Sequence, residues 1–422
     1  MTKIVVSKFS CIEQATLKLG PLTVLIGPQA SGKSILCKLN YFFIDILQQQ
    51  PNSASDGMSF DAYKDKIKEK FIEWFPLTAW GTALFVIEFQ AGDCEIRFSR
   101  TSYRGVPSDN FRIWVSEGFK AHYASLMKLR QNILNKSRHV DDDADFSLFM
   151  GLHEASQKSL RKLLGDDYLS SQIFVPAGRS FFTSIGKALS AFEHGKTLDP
   201  LIMNFGRLYA RYRDRSYRTY PRHRYAGLSS IMSSLNEIFG GELKAKGDDE
   251  YVLCKDGRRI PFSALSSGQQ ELLPLITVLP RLIRQGGVEN RHLAYIEEPE
   301  AHLFPGAQSK LIAALASIVN HSEQTVKMVL TTHSPYVLAK FNNLIKAGQI
   351  SSIGKKEKEA VEKIIPTSFQ MPKGFVNAYA IIDKKLECIM DDDGLIAADY
   401  LDDVSGEISN EFSQLLAVEF SL

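Results

Sequence analysis

The chain has 422 residues, of which 44% are hydrophobic and 23% are charged, the composition of an ordinary folded protein. Its net charge of +2 excludes a polycation, so any nucleic-acid contact must come from a local patch. The five cysteines form no C-x-x-C pair, which argues against a zinc site or a disulfide framework and favours reduced thiols. No apolar run is long enough to span a bilayer and the N-terminus lacks a signal-peptide core, so we expect a cytoplasmic protein without membrane contact.

The N-terminal part of the chain has the pattern of a sheet followed by a helix. Residues 3–26 predict strands, the last of them an apolar run that suits a buried position. A glycine-rich loop follows, and the apolar stretch at 35–47 predicts a helix. After a polar helix at about 61–75, residues 83–99 predict a hairpin that turns at Ala91-Gly92-Asp93.

Residues from about 115 to 240 have a different character, and we interpret them as a mostly helical insertion. They contain an acidic cluster at 141–145 and a stretch rich in arginine and tyrosine at 207–225. Within them, residues 171–176 predict a core strand.

Core patterns return after residue 240. The predicted elements are a hairpin that turns at Asp256-Gly257, a helix at about 268–285, strands at 293–297 and 327–332 around a helix at 307–320, two strands around 383–385 and a final amphipathic helix. We therefore divide the chain into four segments: 1–114 and 241–345 as two parts of one core, 115–240 as the insertion, and 346–422 as a tail that completes the core.

The loop after the first buried strand fits the pattern G-x-x-x-x-G-K-[ST]. Its glycines let successive N–H groups face bound phosphates, and the following helix adds its positive N-terminal end. The residues expected to hold a nucleotide are Gly27, Gln29, Ser31, Gly32, Lys33 and Ser34. We expect Lys33 to reach the β- and γ-phosphates and Ser34 to ligate Mg²⁺. The alternative is a glycine-rich turn without a ligand.

Polar side chains also lie at the ends of the two strands predicted at 293–297 and 327–332. Glu297 ends the first and is placed to hold Mg²⁺, and Glu298 is placed to orient or deprotonate an attacking water. His333 ends the second, where its side chain can contact the γ-phosphate. The alternatives are a strand that merely ends in surface acids and a structural histidine.

A second candidate phosphate site lies at the start of the helix predicted at 268–285. Ser266 is a natural N-cap, and the N–H groups of the first turn can bind an anion. The residues concerned are Ser266, Ser267, Gly268 and Gln269. A second such site in one chain suggests a γ-phosphate held across a dimer, and the alternative is a capping turn only.

In this order the segments resemble the ABC-type ATPases, in the branch shared with SMC, RecF and OLD-family proteins. The resemblance identifies Gly27–Ser34 as Walker A, Leu265–Gln269 as the signature, Tyr295–Glu298 as Walker B with its catalytic glutamate, and His333 as the switch histidine. It implies an α/β head with a mixed sheet core and an antiparallel β subdomain, interrupted by the helical insertion. It also implies ATP and Mg²⁺ as cofactors and a head-to-head dimer or higher homo-oligomer.

Three further segments, at 174–180, 297–303 and 378–396, resemble the OLD-like and AAA-fifteen ATPases in particular. The chain departs from the family pattern in three residues: Gln29 stands for asparagine in Walker A, Ser267 for the first signature glycine, and Glu297 for aspartate in Walker B. The Q-loop glutamine has two weak candidates, Gln90 and Gln172. Phe9 either stacks near the adenine or belongs to the core.

The stretch Arg207–Tyr225 is the strongest local charge bias, and three interpretations stay open. Interleaved arginine and tyrosine suit DNA or RNA, through phosphate contact and base stacking. The same residues suit a protein interface. They also suit a solvated helix face whose arginines pair with the acidic cluster at 141–145.

The resemblance extends to the ATPase subunits of the PARIS and Septu antiphage systems and of related retron systems, which implies control of a separate nuclease or toxin. Only about ninety residues follow His333, too few for the Toprim nuclease of OLD proteins, so we expect the effector to be another chain. Two alternatives remain: an ATP-driven DNA clamp in repair or recombination, and a nucleotide-gated scaffold with little turnover.

Overall fold

A computed structural model describes residues 1–136, 144–185, 198–216, 226–246, 249–284, 291–321, 325–397, 410–411 and 413–415. The strands are β1 (Lys3–Phe9), β2 (Ile12–Lys18), β3 (Leu22–Ile26), β4 (Val86–Ala91), β5 (Cys94–Tyr103), β6 (Val106–Val115), β7 (Ser171–Val175), β8 (Gly241–Lys246), β9 (Asp249–Cys254), β10 (Arg259–Pro261), β11 (His292–Glu297), β12 (Val326–Thr332), β13 (Val376–Ile382) and β14 (Lys385–Cys388). The α-helices are α1 (Lys33–Gln48), α2 (Gln50–Ser55), α3 (Phe60–Trp74), α4 (Glu117–Lys136), α5 (Ala144–Leu164), α6 (Ser180–Ile185), α7 (Pro200–Ser216), α8 (Ala226–Phe239), α9 (Ser267–Arg284), α10 (Pro305–His321), α11 (Pro335–Ser351) and α12 (Lys355–Glu362).

One mixed sheet organises the molecule. Its eleven strands run in the order β6-β5-β4-β1-β2-β14-β13-β3-β12-β11-β7. The strands from β6 to β2 pair antiparallel, whereas β13, β3, β12, β11 and β7 pair parallel. A smaller antiparallel sheet, β10-β9-β8, contains the predicted turn at Asp256-Gly257. The predicted α/β head with a mixed core and an antiparallel part is therefore confirmed.

The parallel strands are buried on both faces, which explains why they appear in the sequence as continuous apolar runs. Successive side chains of a strand point to opposite faces, so Tyr295 packs in one hydrophobic core and Ile296 in the other. Helices α1 and α3 contribute to the first core, and α9, α10 and α11 contribute to the second. The site elements are thus held between two packed layers.

Phe9 belongs to the first core. Its ring is 1% exposed and lies within 6 Å, centroid to centroid, of Phe71, Phe75 and Phe85. This environment favours the core interpretation of Phe9 over stacking on an adenine.

The predicted insertion contributes to the main fold as well as projecting from it. Helices α4 and α5 pack against each other and against α2, while β7 joins the sheet beside β11, where a core strand was expected. Helices α6, α7 and α8 pack against α9. The division at residues 114, 240 and 345 stays a prediction, and strands β6 and β8 were missed by the sequence analysis.

Parts of three predictions lie outside the described residues. These are Asp141–Asp143 of the acidic cluster, residues 217–225 of the arginine-tyrosine stretch, and most of the final amphipathic helix. Among the helices that the structure does describe, none combines the length and the apolar character needed to cross a bilayer.

Candidate functional site

The carboxyl ends of four parallel strands meet at one edge of the sheet. In the register of the sheet, Ile26 of β3 pairs with Thr332 of β12, and Thr331 pairs with Glu297 of β11. On the other side of β11, Ile296 pairs with Val175 of β7. The glycine-rich loop, the two glutamates and His333 all follow directly, so three of the four predicted motifs come together here.

The glycine-rich loop wraps around the start of α1. Gly27 and Gly32 have positive φ angles of 156° and 109°, and α1 begins at Lys33. The Lys33 ammonium donates hydrogen bonds to the carbonyls of Gly27 and Pro28, both at 2.8 Å. Burial lowers the pKa of Lys33, and the nearby Glu298 and Glu297 carboxylates oppose this effect. The loop therefore positions a cation at its centre.

The loop leaves room and donors for phosphates. A Cβ at Gly32 would lie 2.8 Å from Ile12 Cγ1 and 3.0 Å from Cys11 Sγ, so the loop can pass there only with glycine. The Ser31 Oγ is buried and has no hydrogen-bond partner within the described residues. Gln29 and Ser34 are exposed beside it. These features fit the predicted phosphate cradle.

Glu297 is a buried carboxylate with one free oxygen. Its side chain is 9% exposed, and burial raises its pKa, an effect that Ser34 and the Ala177 N–H partly oppose. That N–H lies 3.3 Å from Oε2, whereas Oε1 accepts no hydrogen bond from any residue that the structure describes. A free carboxylate oxygen and the Ser34 hydroxyl are oxygen ligands of the kind that Mg²⁺ prefers.

The described residues contain no group of three or more His, Cys, Asp or Glu side chains that would form a metal cage. Mg²⁺ is usually held by one or two protein ligands together with phosphates and water. Ser34 and Glu297 as Mg²⁺ ligands stay a prediction, in which a bound nucleotide would supply further ligands.

Glu298 and His333 form a pair at the mouth of the site. His333 Nε2 lies 3.3 Å from Glu298 Oε1, and both side chains are partly exposed. Glu298 has a φ of 41°, and its N–H donates to the Thr331 carbonyl at 3.0 Å. Glu300 accepts hydrogen bonds from the Thr332 hydroxyl and from the His333 N–H, and so fixes the backbone of the switch segment. Sequence analysis assigned Glu300 no role.

The predicted signature forms a capped helix start. Gln269 Oε1 accepts from the Ser266 N–H and hydroxyl, both at 3.1 Å, and Gln269 Nε2 donates to the Phe239 carbonyl at 2.7 Å. Ser266 and Ser267 are exposed, but Gly268 is buried, and a Cβ there would lie 2.7 Å from the His302 carbonyl. The signature therefore packs against the segment that follows the two glutamates and exposes its serines.

The signature does not reach the glycine-rich loop of its own chain through polar contacts. Across the ranges that the structure describes, no hydrogen bond or ion pair joins Leu265–Gln269 to Gly27–Ser34.

Arg179 is a site residue that sequence analysis left without a role. It is fully buried, and its guanidinium donates to the carbonyls of Glu297 and Glu298 at 2.6 and 3.1 Å. Its ion-pair partner is Glu271 on α9, with Nε 3.5 Å from Oε2. The sequence signals were its position four residues after an apolar strand and its place in the segment 174–180, which resembles the OLD-like ATPases.

Neither candidate for the Q-loop glutamine lies at this edge of the sheet. Gln172 is near the start of β7 and donates to the Tyr41 carbonyl at 2.8 Å. Gln90 is exposed on β4, in the antiparallel part of the sheet. Neither glutamine therefore lies at the edge of the sheet that carries the glycine-rich loop.

The described part of the arginine-tyrosine stretch lies on α7. Tyr209 is 2% exposed and stacks near Phe205, and Arg213 forms an ion pair with Glu250 of β9. Arg207 and Arg211 lie on the exposed face of the helix, one turn apart. Part of the stretch is therefore core, and nucleic-acid binding by the rest stays a prediction.

Residues 197–338 match the AAA_15 family, described as an AAA ATPase domain, which confirms the resemblance to that group of ATPases. No curated protein matches the chain. Three similar solved structures are an SMC head bound to the C-winged helix domain of ScpA (11% identity, TM-score 0.41, 92% of this chain and 96% of that one), the SMC head domain from Thermotoga maritima (13%, 0.34, 92% and 97%) and the dimeric post-hydrolysis state of the ATP-binding cassette MJ0796 bound to ADP and Pi (10%, 0.31, 92% and 97%). At these TM-scores, the strand order given above, rather than the superpositions, defines the fold.

Gly32→Ala should weaken nucleotide binding at least about tenfold, because the added Cβ forces the loop away from Ile12 at a φ that disfavours alanine. A fluorescent ATP analogue would measure the dissociation constant. Gly105→Ala is the matched control, since Gly105 also has a positive φ but nothing lies within 4 Å of a Cβ there. Equal affinity of the Gly32 variant and the unmodified chain would contradict the cradle.

Glu297→Gln should raise the melting temperature of the nucleotide-free protein by roughly 2 °C at pH 8 and by less at pH 5. Because burial raises the pKa of Glu297 above 4.5, its ionisation costs stability, and this cost grows as pH rises through the raised pKa. Differential scanning fluorimetry in EDTA would measure it.

The control for this experiment is Glu154→Gln on the exposed side of α5. Lys158 lowers the pKa of Glu154, so the loss of that carboxylate can only reduce stability at the higher pH. A Glu297 variant whose melting temperature follows the unmodified chain at both pH values would show that the carboxylate is not destabilised by burial.

Proposed function

We propose that the chain is a Mg²⁺-dependent ABC-type ATPase whose nucleotide site is completed by the signature of a second copy. The observation that carries the proposal is the convergence of Lys33, Glu298 and His333 at one sheet edge, while the signature serines remain exposed and unconnected to the loop of their own chain. The match of residues 197–338 to an ATPase domain supports it independently.

Each residue at the edge has a role that its environment allows. The loop N–H groups and Lys33 bind the phosphates, and Ser34 with Glu297 would hold Mg²⁺, which neutralises charge on the phosphoryl oxygens when bound. Glu298 is partly exposed and lies beside His333, so its carboxylate can orient an attacking water and accept its proton. His333 then contacts the γ-phosphate from the neighbouring strand.

The second copy supplies a helix N-terminus. The start of α9 presents the positive N-terminal end of a helix and the exposed residues Ser266 and Ser267, which suit an anion such as a γ-phosphate. In a two-fold symmetric dimer the same contact occurs twice, so two identical nucleotides would be enclosed. Binding of ATP and association of the chains would then be linked.

Mixing two inactive variants tests the shared site. Lys33→Ala removes the phosphate-binding cation, and Ser267→Glu places a negative charge at the exposed signature. Each variant alone should hydrolyse ATP at least about tenfold more slowly. An equimolar mixture should recover about a quarter of the normal turnover, because half of the dimers are mixed and each mixed dimer contains one intact site.

Ser263→Glu is the control, since Ser263 is also exposed and lies four residues before Ser267. It should leave turnover unchanged. If the mixture stays inactive although both variants are folded and associate, or if Ser267→Glu alone turns over normally, the site is not shared between chains.

We further propose that closure of this dimer controls a separate effector, a nuclease or toxin, in antiphage defence. The support is that residues 174–180, 297–303 and 378–396 resemble the OLD-like and AAA-fifteen ATPases, and that stand-alone ATPases of this type resemble the ATPase subunits of such systems. The mechanism would require only that the effector binds the ATP-closed and open dimers differently.

Co-expression with the product of a neighbouring gene tests this part of the proposal. Glu298→Gln should keep ATP binding, trap the closed dimer and change the activity of a bound effector, whereas Lys33→Ala should prevent closure. ATP turnover that rises with DNA length and needs no effector would indicate a DNA clamp instead. An assembly that Lys33→Ala disrupts, while Glu298→Gln changes neither its turnover nor its output, would indicate a scaffold.

A further inference from the structure

The Arg179 guanidinium is buried and finds its hydrogen-bond and ion-pair partners inside the protein. Its side chain has no exposed surface, and its guanidinium donates to four carbonyl oxygens, those of Glu271, Pro176, Glu297 and Glu298. A buried guanidinium is stable only when its donors are paired, so this residue holds its neighbours as firmly as they hold it. Two of the four are the backbone carbonyls of Glu297 and Glu298, whose side-chain carboxylates belong to the candidate nucleotide site.

The conformation of Glu298 shows what this contact does. Its φ of 41° lies in the left-handed region, which a non-glycine residue adopts only when its surroundings impose it. The Thr331 carbonyl accepts the Glu298 N–H at 3.0 Å, and Arg179 Nη2 donates to the Glu298 carbonyl at 3.1 Å. The backbone of Glu298 is thus held from both sides, and one of the two holders is Arg179.

Glu271 anchors Arg179 to the signature helix. This carboxylate is 2% exposed and accepts from the Arg179 N–H at 2.9 Å and from the Ser180 N–H and hydroxyl at 3.1 and 2.9 Å. It lies one turn into α9, four residues after Ser267. Since Ser267 is exposed at the start of the same helix, the exposed signature serine and the buried anchor of Arg179 belong to one helix.

We propose that Arg179 is a positioning residue that sets the backbone of Glu298 and, through Glu271, ties it to the signature helix. A displacement of α9 when a second chain engages its serines is passed to the catalytic carboxylate by this buried pair. The inference rests on the proposed ATPase function. It adds a way in which engagement of a chain's signature by a second chain would change the position of Glu298 in the first.

A purely structural role for Arg179 and Glu271 predicts a different result from a positioning role. A double variant distinguishes the two roles. Arg179→Met alone leaves Glu271 buried without its cation, so it should lower the melting temperature. Adding Glu271→Gln removes that charge and keeps an acceptor for Ser180, so the part of the stability loss that comes from the unpaired carboxylate should be recovered. If Arg179 positions Glu298, the double variant, assayed below its melting temperature, should still show kcat lowered about 10- to 100-fold with KM for ATP changed less than about threefold.

The control is Arg291→Met, at the opposite end of β11. Arg291 also bridges the strand to a neighbouring segment, through Asp166 at 3.0 Å, but it lies away from the carboxyl edge. Its kcat should stay within about twofold of normal. Recovery of full kcat in the Arg179 and Glu271 double variant, or loss of ATP binding together with turnover, would overturn the positioning role.

Hydrogen–deuterium exchange gives a second measurement that does not need turnover. In the double variant, amides of residues 297–303 should exchange faster, while those of 292–296 keep their protection within the sheet. Unchanged exchange at 297–303 would contradict the inference even if the protein hydrolysed no ATP. Absence of turnover in the unmodified chain would instead contradict the proposed function alone.

Discussion

The parallel register of β3, β12, β11 and β7 is the constraint on which the site depends. It places Ile26, Thr332, Glu297 and Val175 at one edge of the sheet, so the residues that follow each of them meet although they are far apart in the chain. Because both faces of these strands are covered, a slip of one residue would move apolar side chains to the wrong core. The same packing that stabilises the fold therefore fixes the spacing of the nucleotide site.

Opposite charges in low dielectric give this edge its chemistry. Burial lowers the pKa of Lys33 and raises that of Glu297, so each group is costly to keep charged alone. The charged form of Lys33 is favoured by Glu298 and Glu297, and the charged form of Glu297 is in turn favoured by the buried Arg179. A nucleotide with Mg²⁺, as proposed, would bring both signs of charge into this arrangement, so its binding would be coupled to the ionisation of these residues.

The parts of the site that could be predicted are those encoded by neighbouring residues. The glycine-rich loop, the paired glutamates and the capped helix start each need only a few consecutive positions, and the hairpins at 83–99 and 256–257 depend on local turn chemistry. The contacts of Arg179 could not be found in the same way, because Glu271 lies 92 residues away and Glu298 lies 119 residues away. Nothing in the chemistry of an isolated arginine specifies partners at such separations.

The start of α9 connects the exposed signature to the buried Arg179. Ser266 and Ser267 are exposed, which suits a phosphate held by another chain, whereas Gly268 and Glu271 are buried and pack on the His302 carbonyl and on Arg179. A helix start that met a ligand on one side only would need flexible surroundings to respond. Here both buried contacts lead to the segment from Glu297 to His302, which is the physical connection that the proposed coupling requires. The exposed signature serines and Glu271, the buried partner of Arg179, thus belong to the same helix start.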